Sequence, residues 1–335
     1  MHGLAEPPRS PAPWQRLLAD AIDDPAVLLR ALRLPDDLLP AARRAAALFP
    51  LRVPAPYLQR MRAGDPADPL LRQVLPLHLE CETRPGYGTD PLAESAAQPV
   101  PGMLKKYHGR ALLIATGACA VHCRYCFRRH FPYAQAHAGG SRLEPALAAI
   151  AADASVGEVI LSGGDPLTLS DARLADLAAR LAAIAHVHTL RIHTRLPVVL
   201  PQRVDDALLA WLGRTRLRKV LVLHGNHAAE IDDAVEHALA RLARAGVTLL
   251  NQAVLLRGVN DDADALAALS ERLHRAGVLP YYLHLLDRVQ GAAHFDVPDE
   301  RGVALIAALR ARLPGYLVPR LVREQPGAAG KTIIA

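Results

Sequence analysis

From about residue 105 onward the chain repeats one pattern of hydrophobic and polar positions. Short runs rich in aliphatic and β-branched residues occur at Ala111–Thr116, Glu158–Ser162, Thr189–Thr194, Lys219–His224, Thr248–Leu255 and Tyr281–Leu286. After the first gap they recur about every 30 residues, with Ala/Leu/Arg stretches of helical periodicity between them, which is the spacing of βα units. DARLADLAARLAAIA, opening at Asp171 behind Ser170 as N-cap, is one such helix. Six units of this kind predict either a doubly wound sheet or an incomplete barrel, and both place chemistry at the strand C-termini. Polar residues fall there. Three cysteines follow the first run, Gly163–Gly164–Asp165 the second, and His193–Arg195 end the third. His224–Gly225–Asn226–His227 follow the fourth, Asn251–Gln252 lie on the fifth, and His284–Asp287 end the sixth.

Residues 1–104 carry no such period. Pro-rich PPRSPAP and LPDDLLP separate two helix-periodic segments, WQRLLADAI and PAVLLRAL, and turns at Pro85–Gly88 and Gln98–Gly102 lead into the core. A length of 335 residues suits a single α/β barrel with appendages, and a hydrophobic content of 51% fills a core without disulfide or metal staples. The N-terminus shows no basic-then-apolar leader, and no apolar run reaches the ~20 residues of a membrane span, so a cytoplasmic protein without a membrane partner is expected. The four cysteines then read as thiols or metal ligands. A net charge of +6 points weakly to anionic ligands. Arg241, Arg244, Arg272 and Arg275 lie at helical spacing and read as solvated helix faces.

The chemistry concentrates in Cys119-x3-Cys123-x2-Cys126. Three thiolates are one short of closing a structural zinc site or a complete iron–sulfur cube. A [4Fe–4S] cluster held by three thiolates keeps one iron open, and an amino and carboxylate chelate such as a methionyl group can occupy it. The small residues Gly117, Ala118 and Ala120 let the backbone wrap closely around such a cluster. The alternative is a zinc site completed by His122 or His130. Cys81 reads as an ordinary buried or half-buried thiol.

With Tyr125 before the last cysteine, this motif resembles the signature of the radical S-adenosylmethionine superfamily, and Ser162–Gly163–Gly164–Asp165–Pro166 resembles its GGEP motif with Asp for Glu. CRYCFRRHF, LSGGDPL, NQAVLLRGVND, YYLHLLDRVQGAAHF and PGAAGK together resemble the lysine 2,3-aminomutase family, from about residue 65 to Lys331. That resemblance implies an incomplete (β/α)6 radical S-adenosylmethionine barrel over residues 105–312. It further implies a helical N-terminal extension over 1–104 and a C-terminal segment over 313–335 that binds pyridoxal 5′-phosphate. It implies an isomerase that moves the α-amino group of lysine to the β-carbon with three cofactors: the cluster, S-adenosylmethionine and pyridoxal phosphate.

Residue roles follow from the same resemblance. Cys119, Cys123 and Cys126 would ligate the cluster. Ser162, Gly163, Gly164, Asp165, His224, Asn226 and His227 would hold S-adenosylmethionine. Lys331 would form the Schiff base with pyridoxal phosphate, and Tyr107, Arg110 and Gln252 would line that cofactor, with Lys106 assisting. Arg128 would take the substrate carboxylate, and Asp287 with Glu324 its distant ammonium, Glu324 standing where the free-lysine enzymes have Asp. Glu324, the four residues after Lys331 and the segment WQRLLADAIDDPAVLLRALRLP resemble a subgroup that makes (R)-β-lysine. A separate ligase attaches that product to elongation factor P, and a flavodoxin or ferredoxin would serve as external reductant. A catabolic free-lysine 2,3-aminomutase is the nearest alternative. A zinc-binding nucleic-acid protein using CRYCFRRH is the alternative of another class, disfavoured by an aromatic content of 4%.

Overall fold

The computed structural model describes residues 11–136 and 142–335. The expectation about a leader at residues 1–10, and most of PPRSPAP, lie outside them. The chain builds one nine-stranded sheet whose strand order follows the sequence. The strands are β1 (Met103–Leu104), β2 (Arg110–Thr116), β3 (Glu158–Gly163), β4 (Thr189–Thr194), β5 (Arg218–Leu223), β6 (Val247–Val254), β7 (Leu279–His284), β8 (Arg320–Arg323) and β9 (Thr332–Ile333).

Strands β2 to β8 are parallel, while β1 and β9 close the two edges antiparallel to β2 and β8. The edge strands do not pair with each other, so the sheet stays open. A doubly wound sheet reverses its strand order at a switch point. This one never does, which selects the incomplete barrel. All six expected strands are present within two residues, and β8 is a seventh parallel strand that the hydrophobic pattern did not announce. Its four residues, Arg-Leu-Val-Arg, bury only the central pair.

Six helices cross between the seven parallel strands: Leu143–Ala152, Asp171–Ala183, Asp206–Arg214, Asp233–Arg244, Ala263–Arg275 and Asp299–Arg310. Four begin at a side chain that accepts a backbone N–H three residues on, namely Ser170, Asp205, Asp232 and Asp262. These caps satisfy donors that the first helical turn leaves unpaired. Each helix then turns an aliphatic stripe inward, as with Leu174, Leu177 and Leu181, or Leu266, Leu269 and Leu273. Arg244 and Arg275 are solvated as expected. Arg241 and Arg272 instead donate to the carbonyls of Val204 and Ile231. Among the described residues no helix is long and apolar enough to cross a membrane.

The N-terminal segment forms short helices at Pro13–Ala19, Pro25–Ala31 and Leu39–Leu48, two of them opening on proline, which needs no N–H there. Its Trp14, Leu28, Leu29 and Tyr57 share one continuous core with the barrel. It is also fastened by buried charge. Glu80, wholly buried, accepts from Arg124 Nε at 2.9 Å and Nη2 at 2.6 Å and from Arg129 Nη2 at 2.8 Å. Arg124 in turn donates to the Phe49 carbonyl at 2.7 Å. Cys81, next to Glu80, is exposed rather than buried, because the 3-10 turn His78–Cys81 spends its inward position on Glu80.

Removing the carboxylate of this cluster leaves two buried guanidiniums, Arg124 and Arg129, without their anion. Glu80→Met is therefore expected to cost about 3–5 kcal/mol, read as a drop in chemical denaturation midpoint. Arg124→Met in the Glu80→Met background should recover part of that loss.

Candidate active site

The strand C-termini surround an open-mouthed cavity, about 1690 Å³ counting the space that opens to solvent. Its walls bring together every expected site residue except one. Cys119, Cys123, Cys126, Arg128, Ser162–Asp165, His224, Asn226, Gln252, Asp287, Glu324, Lys331, Tyr107 and Arg110 all line it. His227 does not. It sits outside the wall as N-cap of the 3-10 turn Ala228–Glu230, with Nδ1 accepting from Ala229 N at 3.1 Å. Adjacency to Asn226 in sequence was misleading, because the chain turns out of the cavity between them.

The cysteine loop is held from two sides. On the barrel side, Gly164 N donates to Thr116 O and Asp165 N to Ala118 O, both at 2.7 Å. On the N-terminal side, His122 N donates to Arg52 O at 3.1 Å and Arg124 N to Gln73 O at 2.9 Å. Asp165 is buried and accepts four hydrogen bonds, from Leu167 N, Thr194 Oγ1, Arg195 N and Leu196 N at 2.7 to 3.1 Å. A carboxylate has about four acceptor sites, so Asp165 has none left for a ligand. It ties the glycine turn to β4. Asn226 is likewise engaged, with Nδ2 on Gln73 Oε1 and Tyr125 Oη, and Oδ1 on Val254 N.

Burial, and then each other's charge, raise the thiols: Cys119 upward and Cys126 to about 11. Thiols in that setting become thiolates by binding a cation. His122 Nδ1 faces Pro50 O at 2.9 Å and His130 Nε2 faces Gln290 O at 3.2 Å, so each histidine is tied to a carbonyl. Among the described residues no three His, Cys, Asp or Glu side chains converge as they would on one metal ion. Thiolates on separate corners of an iron–sulfur cube have no need to converge in that way.

The other half of the cavity is a chain of alternating charge. Arg128 donates from Nε and Nη2 to the two oxygens of Glu94 at 2.7 and 2.8 Å, and from Nη1 to Ser162 Oγ at 2.9 Å. Lys106 Nζ lies 2.9 Å from both Glu94 Oε1 and Glu324 Oε1, and Lys331 Nζ lies 2.7 Å from Glu324 Oε2. Burial alone would raise Glu324, but Lys331 and Lys106 hold its carboxyl well below the usual range. Among the described residues Asp287 has no such cation in contact. Burial, then Glu324, push it up to about 7. Lys331 is brought here by the β8–β9 hairpin, which places it across from Glu324 and 5.8 Å from the centre of the Tyr282 ring.

The lining also fits a polar aromatic cofactor. The Arg110 guanidinium lies 5.6 Å from the centre of the Tyr107 ring, and Gln252 Nε2 meets His224 Nε2 at 3.0 Å. Burial pushes His224 down to about 3, so it stays neutral. His193 Nε2 and His284 Nε2 line the same cavity, buried and, among the described residues, without a hydrogen-bond partner. Buried polar atoms rarely stay unpaired unless a ligand completes them. Glu94, Arg195, Gln73 and Glu230 are the residues of this region that sequence reading gave no role. Only Arg195 carried a signal, its position at the end of β4.

No family model matches the chain. It is 49% identical over 322 residues to the L-lysine 2,3-aminomutase of Haemophilus influenzae, covering 96% of this chain and 95% of that one. It is 51% identical over 320 residues to the L-lysine 2,3-aminomutase of Escherichia coli, covering 95% and 93%. Among solved structures, a radical SAM methyltransferase from Sphaerobacter thermophilus aligns with a TM-score of 0.44 at 19% identity, over 66% of this chain and 68% of that chain.

The Asp287 carboxyl ionises only as pH rises through about 7, whereas an alkyl ammonium stays charged until about pH 10. Binding of an amino-bearing ligand beside Asp287 is thus expected to tighten from pH 6 to 8 and then level off. In Asp287→Asn the profile should be flat, as titration calorimetry would read.

Proposed function

The chain belongs to the lysine 2,3-aminomutase family, and from that premise we propose that it converts α-lysine to (R)-β-lysine destined for attachment to elongation factor P. The chain is an isomerase, and its family implies a [4Fe–4S] cluster, S-adenosylmethionine and pyridoxal phosphate. Bound together, these groups supply a reversible one-electron bond cleavage that removes and returns a hydrogen, and an aldehyde that carries the migrating nitrogen. The observation that carries the reading is the convergence, in one cavity, of three thiols with Lys331 and with the unpaired carboxyl of Asp287.

Each part of the chain has a task in this reading. Cys119, Cys123 and Cys126 hold the cluster, leaving one iron for the amino acid end of S-adenosylmethionine. The Ser162–Gly164 backbone presents that ligand with close approach, and Asp165 and Asn226 act by fixing the loops around it. Lys331 supplies the amine that anchors pyridoxal phosphate, with Tyr107 and Arg110 toward the phosphate and Gln252 toward the ring. Arg128 is the planar cation offered to the substrate carboxylate, its guanidinium held in place from Nε and Nη2 by Glu94. Asp287 takes the distant ammonium, and Glu324 shares that task with its own hold on Lys331. The buried walls, among them Leu104, Ile160 and Leu286, keep water from a reactive site. A flavodoxin or ferredoxin supplies the electron.

Support for the subgroup comes from Glu324 and from the N-terminal segment beginning at Trp14, which packs into the barrel core. Protein purified without oxygen and reconstituted is expected to hold four irons and four sulfides per chain and to show an imine absorption band. That band should vanish in Lys331→Ala while the iron remains. Deleting the gene should remove the mass increment of one lysyl group from elongation factor P. An unchanged mass would assign the product to catabolism instead.

A further inference from the structure

Arg195, the residue after β4, is buried at 4% exposure inside the wall nearest the cysteines. Its Nη1 donates to Cys123 Sγ at 2.7 Å and to Tyr125 Oη at 2.7 Å. Its Nη2 donates to Gln73 Oε1 at 2.6 Å, to Glu230 Oε2 at 2.9 Å and to Tyr57 Oη at 3.0 Å. The backbone N–H of the same residue donates to Asp165 Oδ2 at 2.7 Å, so the side chain starts from a fixed point. Glu230, wholly buried, is in turn held by Gln73 Nε2 at 3.0 Å and Asn226 N at 2.9 Å. Both terminal nitrogens of the guanidinium are thus engaged, only Nε being without a partner among the described residues, and the Cys123 sulfur is one of the atoms they meet.

We propose that the Arg195–Glu230 pair sets the reduction potential of the iron–sulfur cluster, with Arg195 raising it through Cys123 and Glu230 tempering that effect. This rests on the reading that the three cysteines hold a [4Fe–4S] cluster. Reduction adds one electron and no proton, taken from a low-potential one-electron donor. The added negative charge is shared onto the ligand sulfurs. A cation and an N–H donor at one of those sulfurs stabilise the reduced form more than the oxidised one, and so raise the potential. Burial keeps water from screening either charge. Cys123 meets Nη1 and Glu230 meets Nη2 of the same guanidinium, so the sulfur is in contact with the cation of the pair and not with its carboxylate.

The test is a dithionite titration of reconstituted protein, followed by electron paramagnetic resonance at controlled potential. Arg195→Met should lower the midpoint potential, Glu230→Gln should raise it, and Arg195→Lys should fall between Arg195→Met and the unaltered chain. Opposite shifts from two partners of one pair are not produced by loosened packing, which would move both variants the same way. If Arg195→Met fails to hold four irons, Arg195→Lys and Glu230→Gln still decide the sign. Full clusters with unmoved potentials, or shifts of one sign in both, would overturn this inference alone. Fewer than four irons in the unaltered chain would overturn the cluster reading, and this inference with it.

Discussion

The site depends on one close approach of backbone to backbone. The cysteine loop after β2 lies directly against the glycine turn after β3, and two short hydrogen bonds join them. A Cβ on Gly164 would stand 2.3 Å from the Ala118 carbonyl oxygen. One on Gly163, whose φ is +112°, would stand 2.6 Å from the Thr116 carbonyl oxygen. Neither clash is relieved by rotating a side chain, since both partners are main chain. The glycines thus set where the three thiols stand relative to the barrel, and Asp165 then fixes the turn to β4 and to Arg195.

A second constraint is charge. The cavity holds buried Arg128 and Glu94 and half-buried Lys106, Glu324 and Lys331 in an alternating line, each carboxylate shared between two cations. Buried ions are stable only when paired in this way. The line ends at Asp287, which among the described residues has no cation in contact and whose carboxyl burial and Glu324 push up to about 7. Arg128, at the other end, is already held by both oxygens of Glu94 and by Ser162, so the Asp287 end is the one left for a cationic group.

Much of this was legible in the sequence where a physical period or a rare residue type carried it. Parallel strands buried on both faces read as aliphatic runs, and three cysteines within eight positions stand out in a chain holding only four. Lys331 was legible through resemblance alone, since β9 is too short to signal that the tail returns to the sheet. Strand β8 escaped because two of its four residues are arginines. Glu94, Glu80 and Gln73 escaped because they sit in irregular segments without periodicity, and their partners lie 34, 44 and 122 positions away. Such pairings are decided by tertiary packing. His227 and Cys81 show the converse limit: a neighbour in sequence need not share a wall or a burial.

The most direct test of the account is the iron content of Gly164→Val, measured beside Gly213→Ala, where an added Cβ meets nothing within 4 Å. The account predicts that Gly164→Val keeps the circular dichroism of a folded barrel yet binds well under four irons per chain, while Gly213→Ala binds the full set. Four irons in Gly164→Val, with an unchanged visible spectrum, would contradict it.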